Sequence, residues 1–139
     1  MKEYYKDSVA RVYFDDTLNT LFLEYTSKVP NEELFVTINS AVLKAFTSLT
    51  TQKFVADVRK MGIISVKSQQ WVVNNLLPAM IKHLNGKTLH HAQLLDPSEI
   101  LSKVSAANIK SRSGQVADGF EVVQFSDEKE LKNYLTKIG

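Results

Sequence analysis

The chain has 139 residues, 44% hydrophobic and 23% charged, a balance that predicts one globular domain over residues 1–139 with a core of its own. Its 17 Lys and Arg against 15 Asp and Glu give a formal net charge of +2, which is too balanced to indicate nucleic-acid binding. The lack of cysteine excludes disulfides, thiol catalysis and thiolate metal sites.

The first predicted elements are two short β-rich runs, 11–14 and 20–25, which flank the polar turn DDTLN and indicate an antiparallel hairpin. A helix is then predicted to begin after Pro30, because acidic residues stabilise the first turn of a helix. Val36 and Leu43 lie one heptad apart on the side away from the apolar face, and they form a candidate interface. The apolar face itself has a period of 3.6 residues and comprises Leu34, Phe35, Ile38, Ala41, Val42, Ala45, Phe46 and Leu49.

The short apolar run 54–58 is typical of a buried parallel strand. Ser65 is a suitable N-cap for a following helix at 66–84, and Pro78 inside that helix predicts a kink or break near Leu77. The predicted buried face of this helix comprises Val72, Val73, Leu76, Leu77, Met80 and Leu84.

Asn85-Gly86 is a helix stop signal, and a strand is predicted after it at 88–95. Asp96-Pro97-Ser98-Glu99 combines a cap, a proline and an acid, and it predicts a helix that fades near Ala107. The polar segment 108–119 is typical of a loop.

The last predicted elements are a strand at 120–125 and a helix capped by Ser126. The order β-β-α-β-α-β-α-β-α predicts an α/β fold with a mostly parallel sheet, right-handed crossovers and an N-terminal antiparallel hairpin. The final helix is expected to bury Leu131, Tyr134, Leu135 and Ile138.

Cellular location can also be predicted from the pattern of apolar residues. The start MKEYYKDS is polar and is not followed by the apolar core of a signal peptide. No apolar run approaches the roughly 20 residues that a membrane-spanning helix needs. We therefore expect a cytoplasmic protein without a membrane span.

Motifs for metal, cofactor or catalytic chemistry are not found in the sequence. His90 and His91 are adjacent in a predicted strand, so their side chains point to opposite faces and cannot bind one metal ion together. No glycine-rich phosphate loop and no GxSxG nucleophile motif is present. We expect no metal, no cofactor and no enzymatic activity.

Asp57 and Arg59 lie at the carboxyl end of a predicted central strand, where open α/β sheets bind ligands and partners. Two residues apart, they are expected to share a face and to form an ion pair. The pattern leaves two interpretations open. Asp57 accepts backbone N–H groups in the next turn with Arg59 shielding it, or both residues contact a ligand or partner.

Trp71 is the other candidate in this region. On a helical wheel it groups with Asn75, Pro78 and Lys82, opposite the apolar face. A tryptophan in such a place must pack against a neighbouring segment, contact a partner or line a pocket. The sequence leaves these alternatives open.

The pattern A-D-x-R-x-M-G-x-I-S, followed by Q-x-W and a proline, resembles that of small bacterial STAS-like proteins of unknown function. These belong to the SpoIIAA-like α/β group, which includes STAS domains and is similar to the CRAL-TRIO lipid-binding domains. The likeness in element order covers nearly the whole chain. The residues that carry the motif are Ala56, Asp57, Arg59, Met61, Gly62, Ile64, Ser65, Gln69, Trp71 and Pro78.

The resemblance implies a switch at the start of the helix that follows Ser65. In STAS anti-sigma-factor antagonists, a serine in a D-S-S-G turn at this place is phosphorylated to control partner binding. Here the turn contains Ser65-Val66-Lys67, with Val66 at the phosphorylated position and without the glycine. Ser65 would be the phosphate acceptor, at a helix N-terminus that tolerates the added charge.

Two functions follow as hypotheses. The first is a non-enzymatic STAS-like regulatory module that binds a protein partner, or itself as a dimer, through the strand-to-helix edge at residues 57–71. The alternative is a carrier of a small apolar molecule or lipid in a cavity between sheet and helices. The first predicts exposed Trp71, Val36 or Leu43, and the second predicts a large internal cavity.

Overall fold

The computed structural model describes residues 1–96 and 120–138 of the chain. These form an α/β fold around a six-stranded mixed sheet whose strands lie side by side in chain order. The first three strands pair antiparallel, and the third to the sixth pair parallel. The strands are β1 (Lys2–Lys6), β2 (Ala10–Asp15), β3 (Thr20–Tyr25), β4 (Lys53–Asp57), β5 (Leu89–Leu94) and β6 (Phe120–Phe125).

Strand β1 corrects the predicted order, because the hairpin β2–β3 is part of a three-stranded antiparallel unit. Its sequence KEYYK is mostly exposed and lacks an apolar alternation. Lysines at both ends are a common protection of an edge strand against pairing with another chain. An edge strand of this kind resembles a polar tail in sequence, which explains why it was not predicted.

The helices lie on both faces of the sheet. One face packs against α1 (Glu32–Thr47) and against a broken helix made of α2 (Val66–Trp71), a π-helical segment (Val72–Leu76) and α3 (Leu77–Leu84). The other face packs against α4 (Glu128–Lys137), whose Leu131 and Leu135 are buried on Phe22, Val55, Ala92 and Leu94. The predicted helix at 96–107 and the predicted loop at 108–119 lie outside the described residues, except for Asp96.

Pro78 explains the break in the second helix. Proline has no N–H and its ring clashes with the carbonyl of the residue four positions earlier, so a regular α-helix cannot continue through it. The chain forms a π-helical turn just before it, in which the Leu77 N–H donates to the Val72 carbonyl, five residues back. The break predicted near Leu77 is confirmed, and so is the burial of the six apolar residues of this helix.

Local caps explain where the helices begin and end. Ser65 caps α2 as predicted, since its hydroxyl accepts the Ser68 N–H at 3.0 Å. Asn85 has the left-handed conformation with a φ of 50°, which ends α3 at the predicted stop signal. The predicted cap Ser126 is wrong by one residue. Asp127 has the extended backbone of a cap, and its carboxylate accepts the Lys129 N–H at 2.7 Å.

Candidate functional site

Asp57 is the last residue of β4 and is buried, with 7% of its surface exposed. The Arg59 side chain forms a two-pronged ion pair with it, Nε to Oδ1 at 2.9 Å and Nη2 to Oδ2 at 2.6 Å. The backbone N–H of Arg59 also donates to Oδ1, at 3.2 Å. The predicted pairing is therefore confirmed, and the carboxylate also organises the turn that leaves the strand.

Glu128 completes the cluster from the first turn of α4. Its Oε1 lies 2.8 Å from Arg59 Nη2, so the guanidinium joins the end of β4 to α4. The hydrogen bond to Asp57 and, to a lesser degree, Glu128 raise the pKa of Arg59. The sequence does not indicate this contact, because 69 residues separate the two side chains and an acid in a first turn is common.

Lys53 holds the other end of α4. Its side chain is almost fully buried, and Nζ donates to the Leu135 carbonyl at 2.8 Å and to the Leu18 carbonyl at 3.3 Å. Burial lowers the pKa of this lysine, since a charged amine is poorly solvated there. Helix α4 is thus attached to β4 at both of its ends, by Arg59 and by Lys53.

A cleft of about 200 Å³ lies between α4 and strands β2 and β3. The rings of Tyr13 and Phe22 stack on its floor with centroids 5.2 Å apart, and Asp57 and Arg59 line one end. The Glu24 carboxylate in its wall is bound by Arg11 Nε at 2.7 Å. The carboxylates of Asp57, Glu24 and Glu128 are therefore engaged in ion pairs, and Asp15 and Lys132 are the other charged side chains that line the cleft.

Ser65 does not line this cleft. It lines an open groove of about 650 Å³ between the N-terminal ends of α1 and α2. Its hydroxyl also donates to Ser68 Oγ at 3.1 Å, so both hydrogen-bonding functions of the group serve the cap. The groove is lined by Val29, Pro30, Asn31, Glu32, Glu33, Ile63, Ile64, Ser65 and Ser68.

Ile63 and Val66, on either side of this serine in the chain, have exposed side chains. Their relative exposures are 57% and 54%, and the other exposed large hydrophobic residue in the described part of the chain is Met1. They were not among the predicted site residues. The run GIIS places two aliphatics, Ile63 and Ile64, next to each other before a helix cap, but it does not indicate which of them is exposed, and no sequence pattern singles out Val66.

Trp71, Val36 and Leu43 are less accessible than the partner hypothesis predicts. All three are half-buried, and Trp71 and Leu43 pack against the main core. Trp71 lines neither the cleft nor the groove. The four candidates of the 57–71 segment are thus divided among the cleft, the groove and a core contact.

The cavity between the sheet, helix α1 and the π-helical segment has a volume of about 30 Å³. That space suits one or two water molecules and is far below the volume of a typical small-molecule pocket. Within residues 1–96 and 120–138, no cluster of three or more acidic or histidine side chains is arranged to hold a metal ion. No helix in these same ranges is long and apolar enough to cross a membrane.

Comparisons with protein-family models, with curated proteins and with solved structures gave no match. The resemblance to STAS-like proteins therefore rests on the sequence pattern around residues 56–78, and it stays a prediction.

Proposed function

We propose that this chain is a non-enzymatic, STAS-like interaction module that binds a protein partner, or a second copy of itself, through the edge at residues 57–71. The observation that carries the proposal is the exposure of Ile63 and Val66 beside the groove between α1 and α2. Single exposed aliphatics are common, but two together at the rim of a concave surface are typical of interaction sites.

The composition of the groove indicates the chemistry of a partner segment. Val29, Pro30 and Ile64 extend the apolar surface of Ile63 into the groove, while Glu32 and Glu33 bring two negative charges to the start of α1. A complementary segment would place an apolar side chain in the groove and a basic side chain beside the two acids.

The segment that carries Ile63 is held in place by the fold. The Met61 carbonyl accepts the Val29 N–H at 3.3 Å, and the Met61 N–H donates to the Val58 carbonyl at 3.2 Å. Gly62 has a φ of +76°, and a Cβ added there would lie 3.2 Å from Cγ of Lys28. A surface that is ordered before binding loses less entropy when a partner binds.

Site-specific photocrosslinking tests the proposal. A photoreactive amino acid at position 63 should form an adduct with one protein, or with a second copy of the chain, that the same group at position 129 does not form. Lys129 is a suitable control because it is exposed and lies on α4, on the opposite face of the sheet.

The identified partner is then purified and its affinity is measured by calorimetry. Ile63→Asp should weaken binding at least about tenfold, which corresponds to about 1.4 kcal/mol, while Lys129→Asp leaves it unchanged. Identical adducts from positions 63 and 129, or equal affinities for both variants, would show that this edge is not the binding surface.

A further inference from the structure

His91 occupies an unusual place for a histidine. It lies in the middle of β5 with 3% of its surface exposed, and its ring stacks on Phe54 with centroids 5.0 Å apart. Neither ring nitrogen has a hydrogen-bond partner within the part of the chain that the structure describes. A neutral imidazole has one donor and one acceptor, and a buried polar group left without a partner costs about 1–3 kcal/mol.

The His91 side chain lines the cavity of about 30 Å³ introduced above. A water molecule needs roughly 10–15 Å³ of such space and two to four polar partners, so the volume fits one or two molecules. Engineered cavities that stay dry are lined by apolar side chains alone. The presence of His91 makes this cavity chemically different from those.

Further polar groups line the same cavity. The Tyr25 hydroxyl accepts a hydrogen bond from Asn39 Nδ2 at 3.2 Å, and its own hydrogen can donate to another acceptor. Gln93 brings a side-chain amide whose oxygen accepts from Gln124 Nε2 at 3.0 Å. Tyr25, Asn39, Gln93 and His91 are thus the polar residues in a lining that is otherwise apolar.

The π-helical segment forms the opposite wall, through its first and last residues, Val72 and Leu76. A π turn contains one more residue than an α turn, and such turns often occur at binding sites. Here Pro78 imposes the turn, and the same turn contacts the space above His91. The cavity therefore combines an irregular helix wall with a sheet wall in which His91 and Gln93 lie among apolar side chains.

We propose that this cavity is an internal hydration site, in which one or two ordered water molecules hydrogen-bond to the ring nitrogens of His91 and to neighbouring polar groups. The waters complete the hydrogen bonding of His91 and connect β5 to the Tyr25–Asn39 pair. This hydration site is separate from the edge at residues 57–71. An experiment that disproves the hydration site would therefore leave the proposed function unaffected.

The test is a high-resolution crystal structure of the full chain, together with nuclear Overhauser effects between water and the His91 ring in solution. We expect water density within about 2.7–3.2 Å of a ring nitrogen and a long-lived water signal at the same ring. His91→Phe, which retains an aromatic ring, should abolish the signal, and His90→Phe on the opposite face should retain it.

Xenon provides the opposing measurement, because it enters dry apolar cavities. Xenon density in the pressurised crystal, or a protein group hydrogen-bonded to the ring in place of water, would overturn the proposal. The measurements on the unsubstituted protein decide the question even if His91→Phe does not fold.

Discussion

Acid should destabilise the fold through His91, and the size of the effect follows from its burial. Burial lowers the pKa of this histidine from 6.5 to about 4, because the charged imidazolium is poorly solvated in the core. Between these two values the unfolded chain binds a proton that the folded chain does not bind. The free energy of unfolding must therefore fall as the pH falls through this window.

The magnitude is the difference between the two pKa values multiplied by 1.36 kcal/mol per unit, which gives about 3 kcal/mol lost between pH 6.5 and pH 4. That is a large part of the roughly 5–15 kcal/mol that stabilises a typical domain. Well above pH 6.5 the ring is neutral in both states, and its titration contributes no further pH dependence.

Urea denaturation at a series of pH values from 7 to 4 measures the effect. His91→Phe replaces the ring with one that does not titrate, so this variant should lose about 3 kcal/mol less stability than the natural chain over the range. His90→Gln, one residue away and less buried, should keep most of the natural slope. Carboxylates titrate in all three proteins, and their contribution cancels in the differences. Equal slopes for the natural chain and His91→Phe would refute the argument.

Three further predictions, which cover five substitutions, test local packing, each by urea denaturation at neutral pH. Asp57→Asn should lower the free energy of unfolding by about 1–2 kcal/mol because it weakens a buried ion pair. Glu128→Gln, at an exposed site, should lower it by less than about 1 kcal/mol. Equal losses for the two variants would contradict this ranking. Gly62→Ala and Gly86→Ala both introduce a side chain at positive φ, and each should lower the free energy of unfolding by about 1–2 kcal/mol. Gly62→Ala should have the larger effect, because a Cβ at position 62 contacts Lys28, whereas a Cβ at position 86 contacts no neighbouring atom. Trp71→Ala should cost about 2 kcal/mol because the ring packs on the core, and an unchanged stability would mean that this contact is weak in solution.

Local patterns predicted most of the secondary structure. Strand β3 occupies the predicted residues 20–25, and β6 the predicted 120–125, because short β-rich runs bounded by turns identify strands well. Ser65 and Pro78 marked a helix start and a helix break, since capping and the missing proline N–H act within one turn of the chain. Strand β1 was missed because an edge strand needs no buried apolar face.

The candidate site was predictable only where its contacts are local. Asp57 and Arg59 are two residues apart at a strand end, so their pairing follows from the sequence. Three other features depend on which elements pack together. They are the contact of Arg59 with Glu128, the hydrogen bond of Lys53 to the Leu135 carbonyl and the burial of His91. The two exposed aliphatics, Ile63 and Val66, could be seen only once the core was complete.

By itself, the sequence determined the alternation of strands and helices, the caps, the helix break and the ion pair at the end of β4. These depend on hydrogen bonds and steric limits between residues a few positions apart, which act in any fold. Only the tertiary structure decided that Trp71 packs on the core, that Ile63 and Val66 face outward, and that His91 lies beside a small cavity. Burial is shared among segments far apart in the chain, and no short stretch of sequence determines it.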